Sequence, residues 1–113
     1  MCTKNQLQSI LNQVANNAKN QLGNQLDAVI LYGSYARGDY DGESDIDILV
    51  RINCPKEQLR EHQNFFIKLS ADLSLAYEVE ISISLVDLYT FNRYKRYLPY
   101  YENIESEGIQ IAW

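Results

Sequence analysis

Residues 28–52 read AVILYGSYARGDYDGESDIDILVRI, and this stretch decides the fold of the chain. An apolar segment ends at Gly33, a polar connection follows, and a second apolar segment opens with Asp45 and Asp47. Side chains at positions i and i+2 of a strand point to the same face, which places these two carboxylates on one side, roughly 6 to 7 Å apart along the backbone. Carboxylate oxygens suit magnesium, which proteins commonly bind through one or two carboxylates together with substrate phosphates. The stretch therefore predicts a site for divalent cations.

The connection between the two segments is suited to binding phosphate. Gly33 and Ser34 stand where the first segment ends, and a glycine there frees the backbone to turn tightly and leave N–H groups facing a ligand. Ser34–Gly38 is predicted to begin a helical turn, whose free N–H groups favour phosphate. Asp39–Glu43 has the composition of a loop. Together, the turn and the carboxylate pair predict metal-dependent handling of the phosphates of a nucleotide.

Length and charge narrow the classes of partner. The 113 residues predict a single domain, 1–113, which is too short for a catalytic domain plus a separate substrate domain. The net charge of −5 weighs against a nucleic-acid duplex as the main partner, because such binding depends on Lys and Arg neutralising phosphates. We therefore expect the acceptor to be a protein or a small molecule.

The cysteine content and the apolar runs indicate a cytoplasmic chain. Cys2 and Cys54 are too few to form a framework of disulfides, and no signal-peptide pattern precedes the first predicted helix. No apolar run approaches the roughly 18 residues expected of a membrane span. We expect no membrane partner.

Hydrophobic periodicity predicts a small mixed β-sheet covered by helices, an α/β (α+β) fold. Thr3 and Gln6 form a capping-box pattern at the start of an amphipathic helix that Gly23 ends. Pro55 suits the first position of a second long helix over about 56–76. Three strands are predicted from apolar runs of strand length: Leu26–Tyr32, Ser44–Ile52 and Ile109–Ala112.

A further strand is predicted from the strict alternation of YEVEISISLV, residues 77–86. Its apolar face would be buried, and its polar face contains Glu78 and Glu80. Either glutamate could complete a three-carboxylate metal site if this strand lies beside the aspartate strand. Glu80 is the preferred choice because it lies further into the strand, and Glu78 stays open as the alternative.

The last third of the chain is rich in tyrosine. Asp87 is predicted to cap a helix that runs from Leu88 toward Leu98 and that Pro99 would stop. Residues 100–107 are predicted to form a further turn. Five tyrosines fall beside three cationic side chains there: Tyr89, Tyr94, Tyr97, Tyr100 and Tyr101, with Arg93, Lys95 and Arg96. Such clustering is typical of interface cores, which would suit a homo- or hetero-oligomer. The alternative is that these rings cover the core with their hydroxyl groups in water.

The central motif resembles a known superfamily. Gly33-Ser34, ten residues and Asp45-Ile46-Asp47 are similar to the signature of the DNA polymerase beta-like nucleotidyltransferases, and LYGSYARGDYDGESDIDILV resembles the minimal nucleotidyltransferases in particular. The resemblance implies the polymerase beta-like nucleotidyltransferase fold. It also implies that Asp45, Asp47 and a third acid, here Glu80, coordinate two magnesium ions, one bridging the triphosphate and one activating the attacking hydroxyl. Gly33 and Ser34 would hold the β and γ phosphates of ATP, and Arg37 would neutralise phosphate charge.

The resemblance also implies a partner. Some minimal nucleotidyltransferases are antitoxins that transfer AMP to a tyrosine of a helical HEPN toxin encoded beside them. For this chain it implies magnesium-dependent transfer of AMP from ATP to a protein hydroxyl, that is, AMPylation of a toxin. The alternative is a non-catalytic inhibitory subunit of the same fold that neutralises its partner by contact through the tyrosine-rich end. The residues identify neither the base of the nucleotide nor the acceptor.

Overall fold

The described part of the chain, residues 2–112 of a computed structural model, contains one mixed sheet of four strands in the order β3-β2-β1-β4. β1 (Leu26–Tyr32) pairs antiparallel with β2 (Ile46–Ile52) and with β4 (Ile109–Ala112). β2 also pairs in parallel with β3 (Ile81–Asp87). The two strands of the central motif are therefore the two inner strands, and the predicted mixed α/β architecture is confirmed.

Five α-helices lie in the same described region. They are α1 (Lys4–Leu22), α2 (Ser34–Arg37), α3 (Leu59–Tyr77), α4 (Leu88–Tyr94) and α5 (Pro99–Glu107), with short 3-10 turns at Gly23–Gln25 and Lys56–Gln58. Within residues 2–112, none of the helices has both the length and the apolar character needed to cross a bilayer.

The start of α1 confirms the predicted capping box. Thr3 Oγ1 accepts a hydrogen bond from the Gln6 N–H at 3.1 Å, and Gln6 Oε1 accepts one from the Thr3 N–H at 2.8 Å. Two N–H groups that the helix cannot pair internally are satisfied in this way. Gly23, with φ 58°, ends the helix as predicted.

The two faces of the sheet carry different layers. α1 and α3 cover one face and bury the main core, which includes Ile10, Val14, Ile48, Val50 and Phe66. A smaller cluster on the other face joins the sheet to α4 and α5 and consists of Ala28, Ile30, Leu49, Val86, Phe91 and Ile104. Each fully buried large apolar side chain contributes about 1.5 to 3 kcal/mol relative to an exposed one. Because side chains alternate along a strand, Tyr32 and Asp47 lie on the face of the smaller cluster.

The strand prediction for residues 77–86 was wrong at its start. α3 continues to Tyr77, and Glu78 then adopts a left-handed conformation (φ 53°) that ends the helix. The backbone carbonyl of Ser74 accepts the N–H of Glu78, and its hydroxyl accepts the N–H of Ile81 at 3.1 Å. Residues 78–80 are therefore a connection, and the strand begins only at Ile81.

Two other boundaries differ from expectation. β2 begins at Ile46 and not at Ser44, so Asp45 directly precedes the strand. The single helix expected from Leu88 toward Leu98 ends at Tyr94, and the segment predicted as a turn forms α5 with Pro99 in its first turn. The predicted N-cap is confirmed, since Asp87 Oδ2 accepts the Thr90 N–H at 2.9 Å.

Candidate active site

The turn after β1 brings Gly33 against Asp47 of β2. Gly33 has φ 75°, and its carbonyl accepts the N–H groups of Ala36 and Arg37, both at 3.1 Å, which closes the short helix α2. The predicted helical turn is thus present. A Cβ atom at position 33 would lie 2.5 Å from Asp47 Oδ2. Glycine is required here both by the positive φ and by the approach of the carboxylate.

The two aspartates share one electrostatic environment with Arg37. Asp45 and Asp47 are both partly buried. Burial raises the pKa of Asp47 above its usual range, the negative charge of Asp45 raises it further, and the positive charge of Arg37 lowers it. The predicted carboxylate pair therefore lies together beside the Gly33 turn, with a guanidinium group within electrostatic reach.

The loop between α2 and Asp45 is held by contacts that were not predicted from the sequence. The Tyr40 ring stacks on the Tyr35 ring of α2, with centroids 4.2 Å apart and planes at 7°. Asp41 and Ser44 then exchange hydrogen bonds, with the Asp41 N–H donating to Ser44 Oγ at 3.0 Å. These contacts hold the residues that lead into Asp45. The signal that the sequence offered is a pair of tyrosines one and six positions after Ser34.

The predicted third carboxylate does not join the pair. Among the described residues, no three His, Cys, Asp or Glu side chains are grouped closely enough to hold a metal. Glu80 is exposed and lies before β3, not on its polar face; only its backbone is near the site, where its carbonyl accepts the Ile46 N–H at 2.9 Å. Glu78 is exposed at the end of α3. The parallel register places Ser82 beside Asp47, because the strand starts later than the alternation indicated.

The donor set fits magnesium that is shared with a nucleotide. The two carboxylates beside the Gly33 turn provide oxygen ligands. Magnesium is typically held by one or two carboxylates with substrate phosphates and water, so a complete protein cage is not required.

A cavity of about 210 Å³ adjoins the Gly33 turn. Tyr32, Gly33 and Arg37 form one side of it, and α5 forms the other with Tyr100, Asn103, Ile104 and Glu107. The hydroxyl groups of Tyr32 and Tyr100 are 2.8 Å apart. None of the site residues predicted from the sequence lies in α5.

The cavity is lined by a charged group, Arg37, and by the hydroxyl group of Tyr32. Arg37 lies 3.2 Å from Asp39 and 3.6 Å from Glu107. Burial raises the pKa of Tyr32, as does its hydrogen bond with Tyr100, so its hydroxyl stays protonated. A larger cavity, of about 490 Å³, lies beside Cys54 and Asp87 at the far end of the sheet from the carboxylate pair.

Comparison with known proteins identifies the family. Residues 11–111 match the family described as Nucleotidyltransferase domain. The chain is 37% identical over 92 residues to "Putative protein adenylyltransferase MJ0141" of Methanocaldococcus jannaschii, covering 80% of this chain and 83% of the relative. It is 33% identical over 98 residues to "Putative protein adenylyltransferase MJ0604" of the same organism, covering 87% and 90%.

Solved structures confirm the fold. A toxin–antitoxin crystal structure with AMP-PNP superposes with a TM-score of 0.56 at 22% identity, covering 88% of this chain and 70% of that chain. A mutant of the toxin–antitoxin pair MntA-HpeT gives a TM-score of 0.55 at 20% identity, with the same coverage. The chain belongs to the nucleotidyltransferase domain family, and it is an enzyme of the nucleotidyltransferase class.

Proposed function

We propose that the chain transfers AMP from ATP to a hydroxyl group of a protein, with magnesium as cofactor, and that the acceptor is a tyrosine of a helical HEPN toxin. The observation that carries the proposal is the contact between the Gly33 turn and the Asp47 carboxylate, with Asp45 adjacent. This arrangement supports the proposal because a turn able to bind phosphate would lie beside two carboxylates able to bind magnesium, and transfer at a nucleotide phosphate needs both.

The residues of the turn would hold the triphosphate. Gly33 and Ser34 offer backbone N–H groups and a hydroxyl, and the exposed Arg37 adds a positive charge. A phosphate would compete for Arg37 with the carboxylates of Asp39 and Glu107. Such exposed ion pairs contribute little because solvent screens them. A triphosphate is therefore able to displace them.

Asp45 and Asp47 would hold magnesium, and Glu80 is proposed as a third ligand. The backbone of Glu80 is fixed beside Ile46 while its side chain is exposed, so the side chain is able to turn toward a metal–nucleotide complex. Bound magnesium would neutralise charge on the phosphates and on the attacking oxygen. In the reaction the acceptor oxygen forms a bond to the α-phosphorus, the bond from that phosphorus to the bridging oxygen breaks, and pyrophosphate leaves with both electrons. The hydroxyl proton passes to solvent.

A protein acceptor is supported by the exposed aromatic end of the chain and by the relatives. Tyr89 and Tyr97 are 69% and 75% exposed, and Leu98 and Tyr100 are also exposed. Such a surface suits a protein partner. The two relatives from Methanocaldococcus jannaschii carry the name "Putative protein adenylyltransferase", and the matching structures are toxin–antitoxin pairs.

The test is direct labelling of a candidate partner. The chain is incubated with magnesium, a HEPN protein encoded beside it, and ATP labelled at the α-phosphate. We expect the label on a tyrosine of the partner, whose mass should increase by one AMP. With ATP labelled at the γ-phosphate instead, we expect no label on the partner. Chelation of magnesium and the Asp47→Asn variant serve as negative controls. An intact complex with no label on either protein would contradict the proposal.

A second function is inhibition of the partner by contact alone. It is supported by the position of the Glu80 carboxylate, which does not join Asp45 and Asp47. The Asp45, Asp47 and Glu80 side chains do not form a metal-binding group in the described structure, and the tyrosine-rich end is exposed. If the chain inhibits by contact, a double variant with Asp45→Asn and Asp47→Asn still neutralises the partner. If it acts by transfer, the double variant binds the partner but leaves it active.

A further inference from the structure

We propose that the free edge of β3, together with the adjoining face of α3, is a docking surface for a second copy of the chain, and that the two β3 strands pair antiparallel there. β3 stands at one end of the strand order β3-β2-β1-β4, so β2 pairs with only one of its two edges. The other edge offers backbone groups to a further strand. The inference concerns how the chain assembles, and it does not depend on the transfer reaction proposed above.

Two hydrogen bonds show which backbone groups of β3 point away from β2. The Glu80 carbonyl accepts the Ile46 N–H of β2 at 2.9 Å, whereas the Ile81 N–H donates away from β2, to Ser74 Oγ of α3 at 3.1 Å. Successive residues of a strand direct their backbone groups alternately to its two sides. The N–H and carbonyl groups of Ile83 and Leu85 therefore lie at the free edge, where no strand within residues 2–112 pairs with them.

The side chains along this edge form an apolar surface. Ile83 and Leu85 pack against the main core but are only partly buried. With Phe66 and Ile67 of α3 they line a cavity of about 330 Å³, and Ile67 is 63% exposed. Strands in parallel pairing are normally covered on both faces. Apolar side chains beside an open strand edge are therefore a surface that a further strand and helix can cover.

The β3 edge lacks the features that keep strand edges from pairing with other chains, which are charges, proline, bulges or very short length. Residues 81–86 contain neither a charged residue nor a proline. The register with β2 advances one residue at a time from the Ile46–Ile81 pair to the Ile52–Asp87 pair, so the strand is regular. The opposite edge of the sheet differs, because β4 has four residues and an irregular pairing with β1. Only β3 thus presents a long, regular edge among the four strands described.

Charge favours a second copy of the chain over another partner. Two copies with a net charge of −5 repel each other, so they can associate only where the surface is uncharged. The α3 residues on the flank that faces this edge recur three or four positions apart and are all uncharged: Gln63, Ile67, Ser70 and Ser74. A charged peptide finds no opposite charge on this flank. A second copy presents the same uncharged flank and the same open strand.

A two-fold axis at Ser84 pairs all the open donors of the two edges. Ile83 of each copy then lies opposite Leu85 of the other, and their four N–H groups donate across the new pairing. The apolar side chains of these residues meet on the α3 side of the joined sheet. An axis at Ile83 would instead place the Ile81 N–H opposite a carbonyl, although that N–H already donates to Ser74. The register centred on Ser84 requires no existing hydrogen bond to break.

The two α3 helices would contribute to the same interface. A specific interface buries on the order of 1,000 Å² or more in total, and pairing over a few residues alone does not reach that area. The axis at Ser84 places both α3 helices on one face of the joined sheet, because side chains that lie opposite each other in a pairing point to the same face. The exposed side chain of Ile67 in each copy is therefore directed toward the joined edge.

Sedimentation equilibrium of the full chain over a range of concentrations tests the surface. We expect a reversible monomer–dimer equilibrium. Ile67→Lys places two like charges in the interface and should weaken the dimer about 10-fold or more. Leu75→Lys is the matched control: Leu75 lies in the same helix and is 80% exposed, but it does not line the cavity, so the dissociation constant should stay unchanged. Thermal unfolding of both variants verifies that they fold.

Oxidative cross-linking tests the register. In this register Ser84 faces Ser84 of the other copy in a non-hydrogen-bonded pair, with Cα atoms about 4.5 Å apart, a separation that a disulfide spans. Ser84→Cys in a Cys54→Ser background should therefore form a disulfide-linked dimer on mild oxidation. Ser82→Cys in the same background lies opposite Val86 of the other copy and should stay monomeric on a non-reducing gel.

Several results would overturn the inference. A wild-type chain that stays monomeric at millimolar concentration would rule out the dimer, and binding of an extended segment of another protein to that monomer would assign the edge to a different partner. Equal weakening by Ile67→Lys and Leu75→Lys would place the interface elsewhere. A disulfide in Ser82→Cys and none in Ser84→Cys would refute the register. None of these measurements uses ATP or a toxin, so they are independent of the labelling experiment.

Discussion

The Asp47 carboxylate approaches Gly33 so closely that a Cβ atom on residue 33 would lie 2.5 Å from Asp47 Oδ2. Gly33 directly follows β1 and Asp47 lies in β2, and the antiparallel pairing of Tyr32 with Asp47 sets their distance. The Gly33 turn and the Asp47 carboxylate are therefore one structural unit. A side chain added at residue 33 must displace the Asp47 carboxylate. Replacing Asp47 by a neutral residue removes the negative charge that lies against the turn.

Gly33→Ala is expected to reduce nucleotidyl transfer at least 100-fold, because the new methyl group displaces the Asp47 carboxylate. Residue 33 combines φ 75° with ψ −155°, a region that side chains avoid, which adds a destabilisation of about 1 to 3 kcal/mol. Steady-state transfer rates and thermal unfolding measure the two effects. Gly23→Ala is the matched control: its φ is 58°, but nothing lies within 4 Å of the new Cβ atom. It should lose comparable stability and keep its activity. Equal loss of activity in both variants would mean that backbone strain alone explains the effect.

Asp47→Asn is expected to abolish transfer while raising the stability of the metal-free protein at neutral pH. The pKa of Asp47 is raised by burial and by the charge of Asp45, so the folded chain binds its proton more tightly than the unfolded chain does. Its ionised form therefore lowers the free energy of unfolding above both pKa values, and this loss disappears as the pH falls below the unfolded value of about 3.9.

The melting temperatures of wild type and Asp47→Asn, compared in chelator from neutral pH downward, check the sign. The variant should melt higher at neutral pH, and the difference should shrink on acidification. Asp72→Asn is the control: Asp72 pairs with Lys68 at 2.8 Å on the surface of α3, and loss of this exposed pair should lower the melting temperature only slightly. A lower melting temperature for Asp47→Asn at neutral pH would contradict the electrostatic assignment.

The two glutamates before β3 are expected to respond differently to substitution. Glu78→Gly should stabilise the chain by about 1 kcal/mol, because glycine adopts the left-handed conformation of residue 78 without the steric cost of a side chain. Its transfer activity should be unchanged. Glu80→Gln should lower transfer about 10- to 100-fold, less than either aspartate variant, because the exposed Glu80 side chain would have to move to reach a bound metal.

Transfer rates at several magnesium concentrations separate these roles. A higher magnesium requirement in Glu80→Gln would support a ligand role. If instead Glu78→Gly loses activity and Glu80→Gln does not, Glu78 is the third carboxylate and the preference for Glu80 is wrong.

The elements that the sequence predicted correctly are those set by local interactions. The capping box of α1, the limits of β1 and the Asp87 cap each depend on residues a few positions apart. The start of β3 was wrong because Tyr77 belongs to α3: its hydroxyl lies 2.6 Å from Ser9 Oγ of α1 and accepts from Gln13 at 2.8 Å. The alternating pattern of residues 77–86 contains no information about these long-range contacts with α1.

The same reason explains which part of the site could be predicted. Gly33, Asp45 and Asp47 belong to one continuous motif, so their proximity follows from one hairpin-like pairing of β1 with β2. The α5 wall lies about seventy residues further on, and its approach to Tyr32 depends on how Ile104 packs on the sheet. That packing is a property of the whole fold, so the cavity could not be expected from the sequence.

Tyr40→Ala is expected to lower transfer about 10- to 100-fold, although Tyr40 touches neither metal nor phosphate in the proposed mechanism. Its ring stacks on Tyr35, and the loop that follows leads into Asp45, so loss of the ring frees the approach to the carboxylate pair. The cost in stability should be about 0.5 to 1.5 kcal/mol. Tyr40→Phe keeps the stacked ring and should keep both activity and stability. Transfer rates, with KM for ATP and kcat determined separately, provide the measurement. A positioning role predicts that kcat falls and that Tyr40→Phe restores it, whereas equal rates in Tyr40→Ala and wild type would show that the Asp41–Ser44 contacts alone hold Asp45 in place.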